Sequence, residues 1–298
     1  MTIKLPNIGY GTYSIANNQL EHCIPVALKA GYRHIDTAQV YQNEEGVGKA
    51  LYKALRDQGL TREEIFITTK VYTGNQNRGQ SPMTYLETLS SIESSLEKLH
   101  LDYIDLYLIH APFCKNERVD QWRAMIELKN LGKAKSVGVS NYNQLHIEEI
   151  KHAGLPLPDA NQIELHPWSQ KTDLVSYLQR NDIPIIAFSS LAPLSNWRSQ
   201  KGEKSSKSKQ MKIDGENPNS PFKFMANKYG VSEAQILLKW ALQHKYAIIP
   251  KSSKHHRIKQ NINLDSFVIN SKDMETLSSL HRSDGGLAWP EGDPTLLD

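Results

Sequence analysis

Cysteine is nearly absent from this chain. Cys23 and Cys114 are the only two in 298 residues, too few for a disulfide framework and without metal-ligand spacing, so two free thiols in a reducing compartment are expected. No apolar run approaches the length of a membrane span, and the opening "MTIKLPNIGYGTYS" lacks the charged flank and apolar core of a signal peptide. Charge of one sign is also missing. Lys and Arg number 35 against 32 Asp and Glu, a net charge of +3 that does not argue for nucleic acid or membrane as a partner. A soluble, cytoplasmic protein is the expectation. No heptad or exposed apolar stripe suggests self-association, so a monomer is expected too.

Short apolar runs alternate with helical patterns along the chain. The runs are "IGYGT" (8–12), "RHIDT" (33–37), "FITTK" (66–70), "LYLIH" (106–110), "SVGVS" (136–140), "ANQIE" (160–164), "IIAFS" (185–189) and "AIIPK" (247–251). Between 81 and 100, apolar residues at Leu86, Leu89, Ile92, Leu96 and Leu99 follow helical spacing, with Ser81 and Pro82 as cap and first residue. Ser232 and Gln235 form a capping box for a later helix. Eight strand–helix repeats predict an α/β chain folded as a single (β/α)8 TIM barrel over 1–298. The rival, an open doubly wound sheet, needs a Gly-rich turn after its first strand; "GYGTYS" puts its glycines within the strand, and "GVGKAL" (46–51) sits in a helical pattern. One segment is compositionally odd. Within 195–219 six bases stand against three acids, predicting a solvated loop or a lid over the cofactor or active site.

Barrel chemistry gathers where strands end at the C-terminal face. Those ends carry Thr12, Asp36, Lys70, His110, Ser140 with Asn141, Gln162, Phe188 with Ser189, and Lys251 with Ser252. An acid, a base and an imidazole on three successive strands exceed what a structural core needs, and Tyr41 follows Asp36 closely. A phenol of ordinary pKa ~10 becomes a usable acid if a nearby ammonium stabilises its phenolate, and a carboxylate keeps that ammonium charged. A neighbouring histidine directs the oxygen that receives the proton. The set Asp36, Tyr41, Lys70 and His110 therefore suits protonation of an alkoxide as a carbonyl is reduced.

The stretches "GYRHIDTAQVYQNEEGVGKAL", "TTK" (68–70), "LDYIDLYLIHAP", "VGVSNY", "NQIELHP" and "IIPKSSKHHRIKQN" occur in order and span almost the whole chain. In them the chain resembles the aldo-keto reductase family. The resemblance implies a (β/α)8 barrel reducing aldehydes and ketones with NADPH/NADP+. It implies Tyr41 as general acid, Lys70 and Asp36 as its tuning pair, and His110 as the substrate-orienting residue. Ser140, Asn141 and Gln162 resemble the clamp on the nicotinamide carboxamide, and Phe188 stands where many members stack a tyrosine. Lys251, Ser252 and Arg257 match the 2′-phosphate pocket, with Gln260 and Asn261 at the adenine; Gly11, Thr12, Ser189 and Leu191 complete the expected cofactor contacts. Ala111 stands where many members have tryptophan, and Tyr13 and Tyr72 where indoles are common. A wider pocket is expected, with Phe113 or Trp168 filling it and Trp289 in the C-terminal loop (284–298) closing it. "HAPF" is similar to fungal members that reduce α-dicarbonyl compounds and keto-lactones. Two rivals remain: a non-catalytic NADPH-binding regulatory subunit of the same fold, and a metal-dependent hydrolase using His34, Asp36, Glu164 and His166, whereas the reductase needs no metal.

Overall fold

The fold follows from strands whose two faces have different work. In a computed structural model, which describes residues 3–194, 213, 217–283, 285–289 and 292–298, eight parallel strands pair in sequence order. They are β1 (Tyr10–Gly11), β2 (His34–Asp36), β3 (Phe66–Val71), β4 (Ile104–Ile109), β5 (Ala134–Ser140), β6 (Asn161–Glu164), β7 (Ile185–Phe188) and β8 (Ala247–Ile248). The sheet closes on itself: Ile8 bridges Ile248, Gly9 N–H donates to Ile248 O at 2.7 Å, and Gly11 N–H to Pro250 O at 3.2 Å. Each expected strand is present; β1, β2, β6, β7 and β8 are shorter than expected, β4 and β5 begin two residues earlier, and β1 and β8 are the shortest. Gly11 belongs to this closure. A Cβ there would lie 2.6 Å from Ile249 O, so only glycine lets the first strand meet the last.

Alternation along the strands decides what reaches the rim. Leu106 and Leu108 of β4 share an interior cluster with Ala160, Ile186 and Ala247, and the next residue on that face is His110. His34 and Thr68 meet inside the barrel at 2.9 Å, and two residues further along their strands stand Asp36 and Lys70. The opposite faces, such as Tyr107 and Ile109, pack against the surrounding helices. Burial of each leucine-sized side chain contributes roughly 2 kcal/mol.

Helices α1 (Asn17–Lys29), α2 (Glu44–Gln58), α3 (Tyr85–Leu99), α4 (Arg118–Asn130), α5 (Gln144–His152), α6 (Thr172–Arg180), α7 (Pro221–Tyr229), α8 (Glu233–Gln243), α9 (His255–Ile262) and α10 (Ser271–Ser278) cover the strands. The capping box at Ser232 and Gln235 is formed. For α3 the cap is Thr84, not Ser81. Met83 N–H donates to Thr73 O and holds the chain extended past Pro82, after which Thr84 and Glu87 cap each other reciprocally. Leu86 also leaves the expected apolar face and is 70% exposed. Six residues of helix rotate it about 120° away from Ile92, too far to share its face.

The expected lid, 195–219, lies outside the described residues except for Ile213 and 217–219. Among the described residues no helix is long and apolar enough to cross a membrane.

Candidate active site

The four residues expected to act together converge at the C-terminal rim. Lys70 Nζ lies 2.6 Å from Asp36 Oδ1, 2.9 Å from Thr37 O and 3.4 Å from Tyr41 Oη. An ammonium has three protons, and here each has an acceptor. Asp36 is equally committed, since its second oxygen accepts from Gln162 Nε2 at 2.7 Å. The His110 and Tyr41 rings meet edge to face, with centroids 5.7 Å apart.

Burial sets the protonation states. Lys70 is fully enclosed, and loss of solvent pulls its pKa down while the Asp36 carboxylate opposes the fall. His110 is pushed well below the usual imidazole range by burial and by the Lys70 charge, so it is neutral at pH 7. Tyr41 departs from expectation. Its pKa stands well above the ordinary phenol value, because burial, then the Asp36 charge, then Tyr13 all disfavour the phenolate. Lys70 spends its two shortest bonds on Asp36 and Thr37, so it does not overturn those effects in the resting chain.

Beyond the four, Asn141 occupies the left-handed region at φ 62°, which asparagine tolerates well. From there its amide donates to His110 O and Ser140 Oγ, both at 3.0 Å. Ser140 Oγ donates to Gln162 O at 2.8 Å. Asn141 Oδ1 and His110 Nδ1 are buried with no hydrogen-bond partner among the described residues. Orphaned acceptors and donors of this kind cost about 1–3 kcal/mol each unless a ligand meets them. Thr12 is tied to Asp36 O through both its amide and its hydroxyl. Phe188, the last residue of β7, and Ser189 and Leu191 just beyond it lie half-buried.

At the far end of the rim, Ser252 is buried and caps the approach to α9, accepting from Lys254 N–H, while Tyr10 Oη donates to Ser252 O at 2.7 Å. Lys251, Arg257 and Gln260 are exposed and Asn261 is buried. The first turn of α9 has no acid and carries Arg257 beside Lys254 and two histidines. Cations at a helix N-terminus oppose its dipole, and a bound phosphate would relieve that conflict.

Aromatic rings wall the opening. Tyr13 meets Tyr41 at 5.1 Å, Tyr72 meets Phe113 at 6.4 Å, and Trp289 meets Phe113 at 5.4 Å and His110 at 6.1 Å. Ala111 is buried. Trp168 is not brought to this wall: its ring contacts are with His166, Phe222 and the Arg282 guanidinium. Among the described residues no three His, Cys, Asp or Glu side chains are grouped to hold a metal.

A family model described as "Aldo/keto reductase family" matches residues 7–282. The chain belongs to the aldo/keto reductase family. It is 36% identical over 283 residues to the glyoxal reductase of Bacillus subtilis, covering 95% of this chain and 91% of that protein. To the methylglyoxal reductase of Salmonella typhimurium it is 35% identical over 277 residues, covering 93% and 90%. Among solved structures, an aldo-keto reductase of Bombyx mori in complex with NADP matches with a TM-score of 0.80 and 31% identity, over 94% of this chain and 92% of that one. The chain is thus an oxidoreductase on an aldo/keto reductase barrel.

Two features of this reductase had no clear reading in sequence. Asn43 knits the rim from behind, donating to Thr12 O and Ile15 O and accepting from Thr37 Oγ1. Glu164 and His166, weighed only as metal ligands, bond to each other at 3.0 Å. Glu164 could have been anticipated inside the barrel, since it shares a strand face with Gln162.

Lys70→Met should leave Asp36 buried without a counter-charge and destabilise the fold by about 3–5 kcal/mol in urea unfolding. Adding Asp36→Leu should recover part of that loss. A double variant losing the sum of the two single costs would contradict a coupled pair.

Proposed function

We propose that this reductase converts small carbonyl compounds, α-dicarbonyls first among them, to alcohols, with Tyr41 as the proton donor. The reading rests on one observation above the rest: Lys70, held by Asp36, lies 3.4 Å from the Tyr41 oxygen. The cofactor is NADP(H), as membership in the family indicates. The residues present fit it, for the orphaned Asn141 oxygen offers an acceptor to a carboxamide and the basic start of α9 offers charge to a phosphate.

When bound, NADPH supplies a hydride for the carbonyl carbon. Tyr41 begins as a neutral phenol, the form an acid must have, and passes its proton to the carbonyl oxygen as charge grows there. Lys70 then faces a phenolate at 3.4 Å, an attraction of order 5 kcal/mol at an effective dielectric of 20. Asp36 keeps the ammonium in place and charged through that step. Neutral His110 directs the substrate oxygen toward Tyr41 without adding a positive charge that would compete with Lys70. The phenol's high resting pKa and its stabilised phenolate are the two halves of one device.

Substrate size is inferred from the wall of Tyr13, Tyr72, Phe113 and Trp289, together with likeness to glyoxal and methylglyoxal reductases. Keto-lactones are the second class to assay. One chain carries every group of the site, so a monomer suffices. The two cysteines are free and buried, which fits a reducing compartment such as the cytoplasm.

Tyr41→Phe should reduce turnover of methylglyoxal by about 10³-fold or more while NADPH still quenches the protein's fluorescence. Retained turnover would remove Tyr41 from the acid's role. Arg257→Ala should raise KM for NADPH by about tenfold or more, with KM for NADH within about twofold. Equal effects on both cofactors would contradict a 2′-phosphate contact.

A further inference from the structure

Glu164 is a glutamate of β6, 1% exposed, pointing along the same strand face as Gln162. A buried carboxylate is costly unless fully hydrogen-bonded. Its main-chain partners here lie in the C-terminal segment. Oε1 accepts from Leu287 N–H at 2.7 Å and Ala288 N–H at 3.0 Å, Oε2 accepts from Ala288 N–H at 3.0 Å, and His166 Nε2 donates to Oε1 at 3.0 Å. Burial works to raise the Glu164 pKa, yet the His166 bond and charge and the Leu287 N–H more than reverse it, so the group is ionised at neutral pH.

The two amides so held immediately precede Trp289, the indole that meets His110 and Phe113. The segment is also fixed on either side of that point. Before it, a Cβ on Gly285 would fall 1.8 Å from Trp168 O, and Arg282 N–H donates to Trp168 O at 2.9 Å. After it, Lys171 pairs with Asp293, and the Asn143 amide donates to Thr295 O and Leu297 O. Those contacts hold the segment to the barrel, and among the described residues the Glu164 bonds are the side-chain hydrogen bonds that fall on the two residues before the indole.

We propose that Glu164 is a positioning residue for substrate selection: by gripping the Leu287 and Ala288 amides it sets where Trp289 stands over His110. One face of β6 then serves both parts of the pocket. Gln162 braces Asp36 behind the proton donor, and Glu164 places the outer wall where the family's more common indole is replaced by Ala111. This rests on the carbonyl-reductase reading above.

The test is a double-mutant cycle between Glu164 and Trp289, assayed with NADPH on methylglyoxal and on a bulkier aromatic aldehyde, 4-nitrobenzaldehyde. Glu164→Ala should raise KM for the aromatic aldehyde about tenfold, and Glu164→Gln, which keeps an acceptor for the amides, about threefold. KM for methylglyoxal, kcat for both substrates and NADPH quenching should stay within about twofold. In a Trp289→Ala background neither Glu164 variant should raise KM further. Unchanged aromatic KM in whichever Glu164 variant folds, or an equal rise with and without Trp289, would overturn the proposal. Wild-type protein that turns over neither aldehyde would instead sink the reductase reading, which separates the two failures.

Discussion

The buried ion pair between Asp36 and Lys70 is the contact on which the site is built. An ammonium and a carboxylate removed from water need several strong partners each, or their burial destabilises the chain. Here the partners are Thr37 O, Tyr41 Oη and the Gln162 amide. The pair's need for hydrogen bonds therefore draws β2, β3 and β6 to one point, with the turn carrying Tyr41 above it. The electrostatic cost of the site and its geometry have the same source.

That pair also explains why the phenol rests neutral. A lone lysine beside Tyr41 would favour the phenolate, but burial disfavours it most and the nearby Asp36 charge adds to that effect. Proton donation needs this balance, because an acid already ionised has nothing to give. In the proposed mechanism Lys70 acts on the charge that develops during the reaction more than on the resting group. His110 is held neutral by burial and by the same lysine, and in that proposal it adds direction without charge.

Much of this was legible in the chain because strand periodicity and rim chemistry are local signals. "RHIDT", "TTK" and "LIH" each alternate toward an interior polar residue at the strand's end, and Asp36, Lys70 and His110 meet where that alternation places them. Other features depended on contacts far apart in sequence. The cap of α3 passed from Ser81 to Thr84 because Thr73, ten residues earlier, holds Met83, a pairing that helical periodicity does not encode. Trp168, an aromatic near a strand end, turned to Phe222 and Arg282 in place of the pocket. Tyr41's raised pKa required the distances among three charged or polar groups, which composition does not contain. Glu164 could be placed on a face by alternation, but its partners at 287 and 288 lie more than a hundred residues away.

As proposed, Tyr41 is a neutral acid whose phenolate is stabilised only as the reaction proceeds. The most direct measurement is the pH dependence of kcat/KM in both directions, with the nicotinamide cofactor saturating. Carbonyl reduction should be level from about pH 6 to 8, and alcohol oxidation should climb toward about tenfold per pH unit as the phenolate becomes available. A reduction rate that falls with a midpoint near pH 7, matched by oxidation that levels off there, would mean a phenol already depressed at rest and would contradict it.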